Sequence, residues 1–288
     1  MMAYLRKRSL CFVISIALIA ISVCLPHIAV AEAGGELTIY CFAAGKADAF
    51  LLTTRHGAVI IDCGLKGFGK EILSYLKAHD IKRVDYLIIT HFDKDHVGGA
   101  AKVINSIPID HVLQSDCPQD SKEYNNYIDA LANASIEPVT VRADYSFTLD
   151  GAEFLVNPPM RERYETRDSN NSSLITTIVH GSNTFLFMGD AQTERLQEYV
   201  DAGCAHYDFL KVPHHGQKEK KKLQKLLFSE VSPDYVVITS SDETPEAETT
   251  VEALEAVNAE IFLTRIAPVI VRSNGATLTV QYDPVPGT

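Results

Sequence analysis

The chain has 288 residues, 46% of them hydrophobic, a formal charge of −11 and a pI near 5.4. This is an ordinary globular composition, with room for one large domain or two small ones and no repeat or low-complexity tract. So acidic a chain is a poor wrapper of duplex DNA, because Lys and Arg supply most non-specific affinity for phosphate; only bound metal ions, which a formal count omits, would soften that exclusion.

The N-terminus stands apart. Arg6-Lys7-Arg8 precedes the apolar run Leu10 to Leu25, followed by Pro26 and the small-residue pattern Ala29-Val30-Ala31. A charged segment, an apolar segment and an A-x-A site predict a secretory signal over residues 1–31, cut after Ala31, with residues 32–288 as one folded domain. The location expected is secreted or extracytoplasmic, and the rival reading is an uncleaved membrane anchor, since the run nearly reaches the ~20 residues a membrane helix needs. Cleavage would remove three basic residues and no acids, moving the formal charge from −11 to −14. Cys41, Cys63, Cys117 and Cys204 would remain, without any CxxC pair. Cys63 reads as a small buried apolar residue rather than a ligand.

In chain order, Glu36 to Phe42, Ala49 to Thr54 and Gly57 to Asp62 read as strands, with the turn Ala44-Gly45-Lys46-Ala47-Asp48-Ala49 between the first two. Glu71 to Ala78 has helical spacing at Ile72, Leu73, Tyr75 and Leu76. Strand Val84 to Ile89 then runs into Thr90-His91-Phe92-Asp93-Lys94-Asp95-His96-Val97-Gly98-Gly99, which places four potential metal ligands within six residues. A tight loop can turn His91, Asp93, Asp95 and His96 toward a common point that two cations share. Sites mixing imidazole with carboxylate suit zinc, manganese or iron. A helix from about Gly99 to Ser106 follows, then strand His111 to Gln114, a helix from Ser121 to Ala134 and strand Pro138 to Arg142. His111, at a strand start, reads as structural.

Tyr145 to Leu149 and Glu153 to Val156 flank Asp150-Gly151 and predict a hairpin. Asn157 to Asp168, with Pro158-Pro159, predicts a surface loop overhanging the site. After Asn170-Asn171-Ser172-Ser173-Leu174, a second hairpin pairs Ile175 to Val179 with Thr184 to Met188, and its turn carries His180, read as solvated. The second strand ends in Gly189-Asp190; this carboxylate reads either as a site residue or as the cap of a helix from Glu194 to Val200. Phe209 to Pro213 leads into His214-His215-Gly216 and a run of Lys218, Lys220, Lys221, Lys222 and Lys225. That run is either a solvated helix face or a phosphate-steering patch, with Lys218 and Lys221 the nearest candidates for substrate contact. Strand Tyr235 to Thr239, an acidic helix from Pro245 to Asn258, strand Glu260 to Thr264 and a hairpin through Ser273-Asn274-Gly275 close the chain.

The string H-x-D-x-D-H-x-G-G, with Gly189-Asp190 and L-K-V-x-H-H-G in that order, resembles the metallo-β-lactamase superfamily in the form of the ComEC-type hydrolase domain of DNA-internalisation competence proteins. Most of the superfamily has histidine where this chain has Asp93. The resemblance implies a four-layer αβ/βα sandwich (mixed α/β) with the site at the strand ends. It further implies two divalent ions: His91 and Asp93 on one, Asp95, His96 and His215 on the other, and Asp190 bridging. His214 is the alternative to His215, with second-sphere support or proton transfer as its other roles. Asp62, of the early Asp-x-Gly element, would brace the metal loop, with Asp48, Asn171 and Ser172 in supporting positions.

The resemblance extends to N-x-S-S-L, which ComEC-type domains carry where other superfamily members supply a third histidine, and two departures stand out: only Gly45 and Asp48-Ala49 survive of a G-Q-G-D-A turn, and the G-H-P element before the last helix keeps Pro245 but not its histidine. The reaction implied is hydrolysis by metal-activated water, catalysed around Asp95 and His215 with zinc or manganese, on a phosphoester in a small molecule or single-stranded nucleic acid. Alternatives are another ester, such as a cell-wall phosphoester, a lactone or a β-lactam, or a non-catalytic binding domain.

Overall fold

The computed structural model describes residues 35–160 and 169–283. The expected signal segment, and most of the loop expected to overhang the site, lie outside those residues. Among the described residues no helix is long and apolar enough to cross a membrane.

The first sheet is built by β1 (Leu37–Cys41), β2 (Ala49–Thr53), β3 (Ala58–Cys63), β4 (Val84–Ile89), β5 (Ile109–Gln114) and β6 (Val139–Thr140), with β14 (Val269–Ser273) and β15 (Leu278–Tyr282) added beyond β1. The second holds β7 (Tyr145–Leu149), β8 (Ala152–Asn157), β9 (Ile175–His180), β10 (Asn183–Phe187), β11 (Phe209–Lys211), β12 (Tyr235–Ile238) and β13 (Glu260–Leu263). Helices α1 (Gly69–Ala78), α2 (Lys94–Val97), α3 (Ala100–Ile104) and α4 (Lys122–Ala134) belong to the first half, and α5 (Thr193–Asp201), α6 (Lys221–Val231) and α7 (Glu248–Glu255) to the second.

The central strands of both sheets bury two faces, which explains the apolar runs, whereas outer strands such as β7, β8 and β15 alternate with exposed residues. In β3 all six residues are buried. Val59 and Ile61 join Phe50, Phe154, Phe187 and Phe209 between the sheets, whereas Ile60 faces Ile72 and Leu76 of α1. On the far side, Leu186, Leu210 and Val236 pack with Leu196, Leu227 and Leu254 of α5, α6 and α7. The result is the expected four-layer αβ/βα sandwich. β3, β4 and β5 are parallel, as are β10, β11, β12 and β13. Their carboxyl ends are where open α/β sheets present functional groups.

Two expectations change in detail. The ligand string is not all loop: Asp95 and His96 lie in α2, because the amides of His96 and Val97 bond to the Asp93 carbonyl at 3.0 Å each and start a helical turn. The chain restarts as α3 after Gly98-Gly99, where a Cβ on Gly99 would lie 2.2 Å from the Cys63 carbonyl oxygen. The glycine is required by that close approach of α2–α3 to β3. His180, too, is buried rather than solvated: its turn docks on the closing hairpin, and Nδ1 meets Ser273 Oγ at 2.8 Å.

The two D-G residues of the first hairpin have φ of 46° and 87°, as an I′ turn demands. Cys63 is buried as expected. His111 is exposed inside β5 and stacks on Tyr86, a structural role.

Candidate metal centre

The carboxyl ends of β3 and β4 meet those of β10, β11 and β12, and each contributes a polar side chain. β3 ends in Asp62, which lies at φ 56°, a conformation Asp tolerates better than most residues. Its buried carboxylate accepts from Thr90 N at 2.8 Å and Thr90 Oγ1 at 2.6 Å, and meets His96 Nδ1 at 2.7 Å. Asp62 therefore braces both ends of the ligand string. The His96 ring, so held, aims Nε2 at Asp190 Oδ1, 3.2 Å away.

Asp190 follows β10, and its amide donates to Ser173 Oγ at 3.1 Å. It does not cap the next helix: Asn171 Oδ1 accepts from the amides of Gln192 and Arg195, both at 3.2 Å.

His215 follows β11. His214 and His215 both adopt left-handed backbone, φ 50° and 53°, so strand alternation does not govern where they point. His215 Nε2 lies 3.0 Å from Asp190 Oδ2 and 3.5 Å from Asp95 Oδ2. Its Nδ1 meets Thr239 Oγ1 at 2.9 Å, and that hydroxyl donates to Asp48 Oδ1 at 2.6 Å. His214 turns aside, to Gln192 at 3.1 Å and Glu219 at 3.4 Å.

Asp95, His96, Asp190 and His215 thus offer four ligand atoms within 4.8 Å of one another. His91 is stacked beside them, its ring centroid 4.1 Å from that of His96. Its Nδ1 is held by Thr90 Oγ1 at 3.1 Å and Ser173 Oγ at 3.4 Å. Asp93 is the outlying member: Oδ2 is 3.8 Å from His91 Nε2, the side chain is 38% exposed, and its other oxygen accepts from Ser169.

The donor set fits a divalent cation. In each histidine Nδ1 is engaged and Nε2 faces the centre, and the three Nε2 atoms and Asp190 Oδ1 are buried without hydrogen-bond partners. Buried polar atoms are seldom left so. Metal-ligating histidines characteristically give the other ring nitrogen to a hydroxyl or carboxylate that fixes the tautomer.

The electrostatics agree. Burial, and then the neighbouring His96, push His91 down to about 3, so its lone pair is available near neutrality. Burial opposes charge on His215, yet the Asp190 and Asp48 carboxylates outweigh it and raise the ring to about 9. His96 is raised in the same way by Asp190 and Asp62, against its burial. Asp190 is held well below the usual carboxylate range by His215 and His96, again despite burial. A cation held there would compete with protons for the His96 and His215 rings.

Several participants escape sequence reasoning. Lys211 is fully buried; its ammonium pairs with Asp48, donates to the Gly189 carbonyl at 2.8 Å and lies 3.5 Å from Asp190 Oδ1. A lysine inside an apolar strand was the available signal. Thr90, Thr239 and Ser173 orient the three imidazoles, and only their neighbours were informative. Of the supporting residues expected, Asp48 and Asp62 touch ligands. Ser172 instead bonds the Ser169 carbonyl at 2.6 Å, and the hydroxyl that reaches the centre is that of Ser173. Lys218 and Lys221 are exposed beyond His215.

Residues 43–240 match the family model described as the Metallo-beta-lactamase superfamily, and the chain belongs to that superfamily. Among curated proteins it is similar to Recombination protein 2 of Haemophilus influenzae, 26% identical over 201 residues that cover 68% of this chain and 23% of that one. It is also similar to ComE operon protein 3 of Bacillus subtilis, 27% identical over 150 residues, covering 52% of this chain and 19% of that one. The resemblance to competence proteins is thereby borne out, and the chain spans about a quarter of these relatives' length or less. Among solved structures, the metallo-beta-lactamase fold protein YhfI from Bacillus subtilis superposes with a TM-score of 0.55 at 9% identity, covering 85% of this chain and 100% of that one. That likeness shows the fold.

Proposed function

We propose that the protein is an extracytoplasmic, metal-dependent hydrolase that cleaves a phosphoester, in single-stranded nucleic acid or a nucleotide. The observation that carries this reading is the convergence of three buried, unsatisfied Nε2 atoms and Asp190 Oδ1 from the ends of β4, β10 and β11. Asp95, His96, Asp190 and His215 would hold one divalent ion, zinc or manganese. His91 and Asp93 are the candidates for a second. Divalent ions there would supply Lewis acidity and lower the pKa of a bound water toward about 7.

The protein's own groups do the rest. Asp62 and the Thr239–Asp48 pair keep His96 and His215 in the ligating tautomer. Lys211 offsets the charge of Asp48 and Asp190, limiting the repulsion among three buried carboxylates, Asp48, Asp62 and Asp190. Asp93, with its side chain 38% exposed and in contact with Ser169 and His91, is placed to take a proton from solvent-side water. His214, bonded to Gln192 and Glu219, supports the wall of the site.

A phosphoester is favoured because similar proteins carry recombination and competence in their names, and because lysines at 218, 220, 221, 222 and 225 are exposed just after His215. The test is turnover of single-stranded DNA, bis-p-nitrophenyl phosphate and nitrocefin by the purified protein with manganese or zinc. Metal-dependent cleavage of the first two supports the reading, and turnover of nitrocefin alone overturns it.

A further inference from the structure

We infer that Lys46 is the residue that binds the substrate's phosphate, a role that rests on the phosphoester reading above. Lys46 stands at the apex of the turn joining β1 to β2, and the turn is rigid. Gly45 has φ 75°, the Ala47 amide bonds back to the Gly45 carbonyl at 2.9 Å, and Ala47 is fully buried. The Asp48 amide then donates to the Asp95 carbonyl at 3.1 Å, which ties the turn directly to the ligand string. From this mount the Lys46 ammonium reaches Asp95 Oδ2 at 3.4 Å, the oxygen that also faces His215 Nε2 at 3.5 Å.

Two lysines lie against candidate ligands, and their situations differ. Lys211 is sealed, with its side chain 0% exposed and its charge spent on Asp48 and Asp190. Lys46 is 27% exposed, so an anion arriving from solvent can meet it. A part-exposed ion pair contributes little, and the ammonium can exchange Asp95 for another oxygen once that carboxylate turns to a cation.

An anionic substrate needs such a group. The formal charge of the chain is −11, and Asp93 and Asp95 line the approach. A lysine is a point charge with rotatable donors, suited to a non-bridging phosphate oxygen. The turn also lies beside the Ser241 side chain, about 4.0 Å from where a Cβ on Gly45 would be, and Pro245 of that segment accepts from Gln217 at 3.1 Å.

The experiment measures inorganic phosphate binding to manganese-loaded protein by calorimetry, for wild type, K46Q and K46R, with metal content determined on the same samples. KM and kcat for bis-p-nitrophenyl phosphate form a second arm. K46Q is expected to weaken phosphate binding by about tenfold or more, as loss of one charge-assisted hydrogen bond implies. It should raise KM more than it lowers kcat and leave metal content unchanged, and K46R should recover most of the affinity. Unchanged phosphate affinity in K46Q, or wild-type protein that binds no phosphate, overturns the assignment. So does loss of metal in parallel with phosphate, which would make Lys46 a prop for Asp95. Lys46-dependent phosphate binding without diester cleavage upholds the anion site and refutes the phosphoesterase reading.

Discussion

Replacing Asp62 by Asn tests how the ligands are oriented. Asn tolerates the left-handed backbone at this position, so the change acts through one atom. The carboxylate takes Thr90 N on Oδ1, and Thr90 Oγ1 and His96 Nδ1 on Oδ2. An amide has a single oxygen. If that oxygen keeps the Thr90 amide, the new NH₂ faces His96 Nδ1, and the ring responds by moving its proton to Nε2, the atom that must ligate. Loss of such an orienting partner costs about 10–100-fold in metal affinity, or about 1.4–2.8 kcal/mol. The unmet hydrogen bond adds about 1–3 kcal/mol of lost stability in the metal-free protein. Zinc affinity by competition with a chelator and urea unfolding without metal measure the two effects separately. Asp85→Asn is the control: Asp85 is also buried and accepts from the Ala58 amide at 2.8 Å, but it touches no candidate ligand. D85N should lose stability and keep its metal affinity. Wild-type zinc affinity in D62N, or equal loss in both variants, would refute the reasoning.

Gly99→Ala should destabilise by about 1–3 kcal/mol, as overpacking does, because its Cβ would meet the Cys63 carbonyl oxygen at 2.2 Å; an unchanged melting temperature would contradict the close approach. Burial holds His180 below its ordinary value of 6.5. The unfolded chain therefore binds its proton first, and the stability this ring contributes is complete above 6.5 and lost as pH falls toward the folded value. H180Q should show a shallower decline in urea-unfolding stability as pH falls below about 6.5, and an identical decline would count against the burial argument. Finally, His215 near 9 and a raised His96 are protonated at neutral pH in the metal-free protein. Zinc binding should release protons, seen as a dependence of the calorimetric heat on buffer ionisation enthalpy, and affinity should rise with pH. No proton release would contradict the charge assignment.

The sandwich was legible because strands buried on both faces leave apolar runs such as Ala58 to Ile61, and because His91, Asp95, His96, Asp190 and His215 follow within a few residues of such strands. What stayed hidden depends on partners distant in sequence. Nothing local distinguishes Ser173 from Ser172, but only Ser173 meets His91 and Asp190. The burial of His180 comes from a hairpin some ninety residues on, through Ser273. The helical turn holding Asp95 and His96 is four residues long, too short for periodicity to register. Lys211 and Asp48 form a pair only when the two sheets close. The choice between His214 and His215 rests on two left-handed residues, which no pattern of alternation anticipates.

The central claim is that Asp95, His96, Asp190 and His215 form a cation site. Equilibrium dialysis with zinc and with manganese, read by elemental analysis on wild type and on His215→Ala, tests it most directly. At least one tightly held equivalent in the wild type, with affinity reduced by about a hundredfold or more in the variant, is the predicted result. A wild-type protein that retains no metal, or an H215A protein that retains as much, would contradict it.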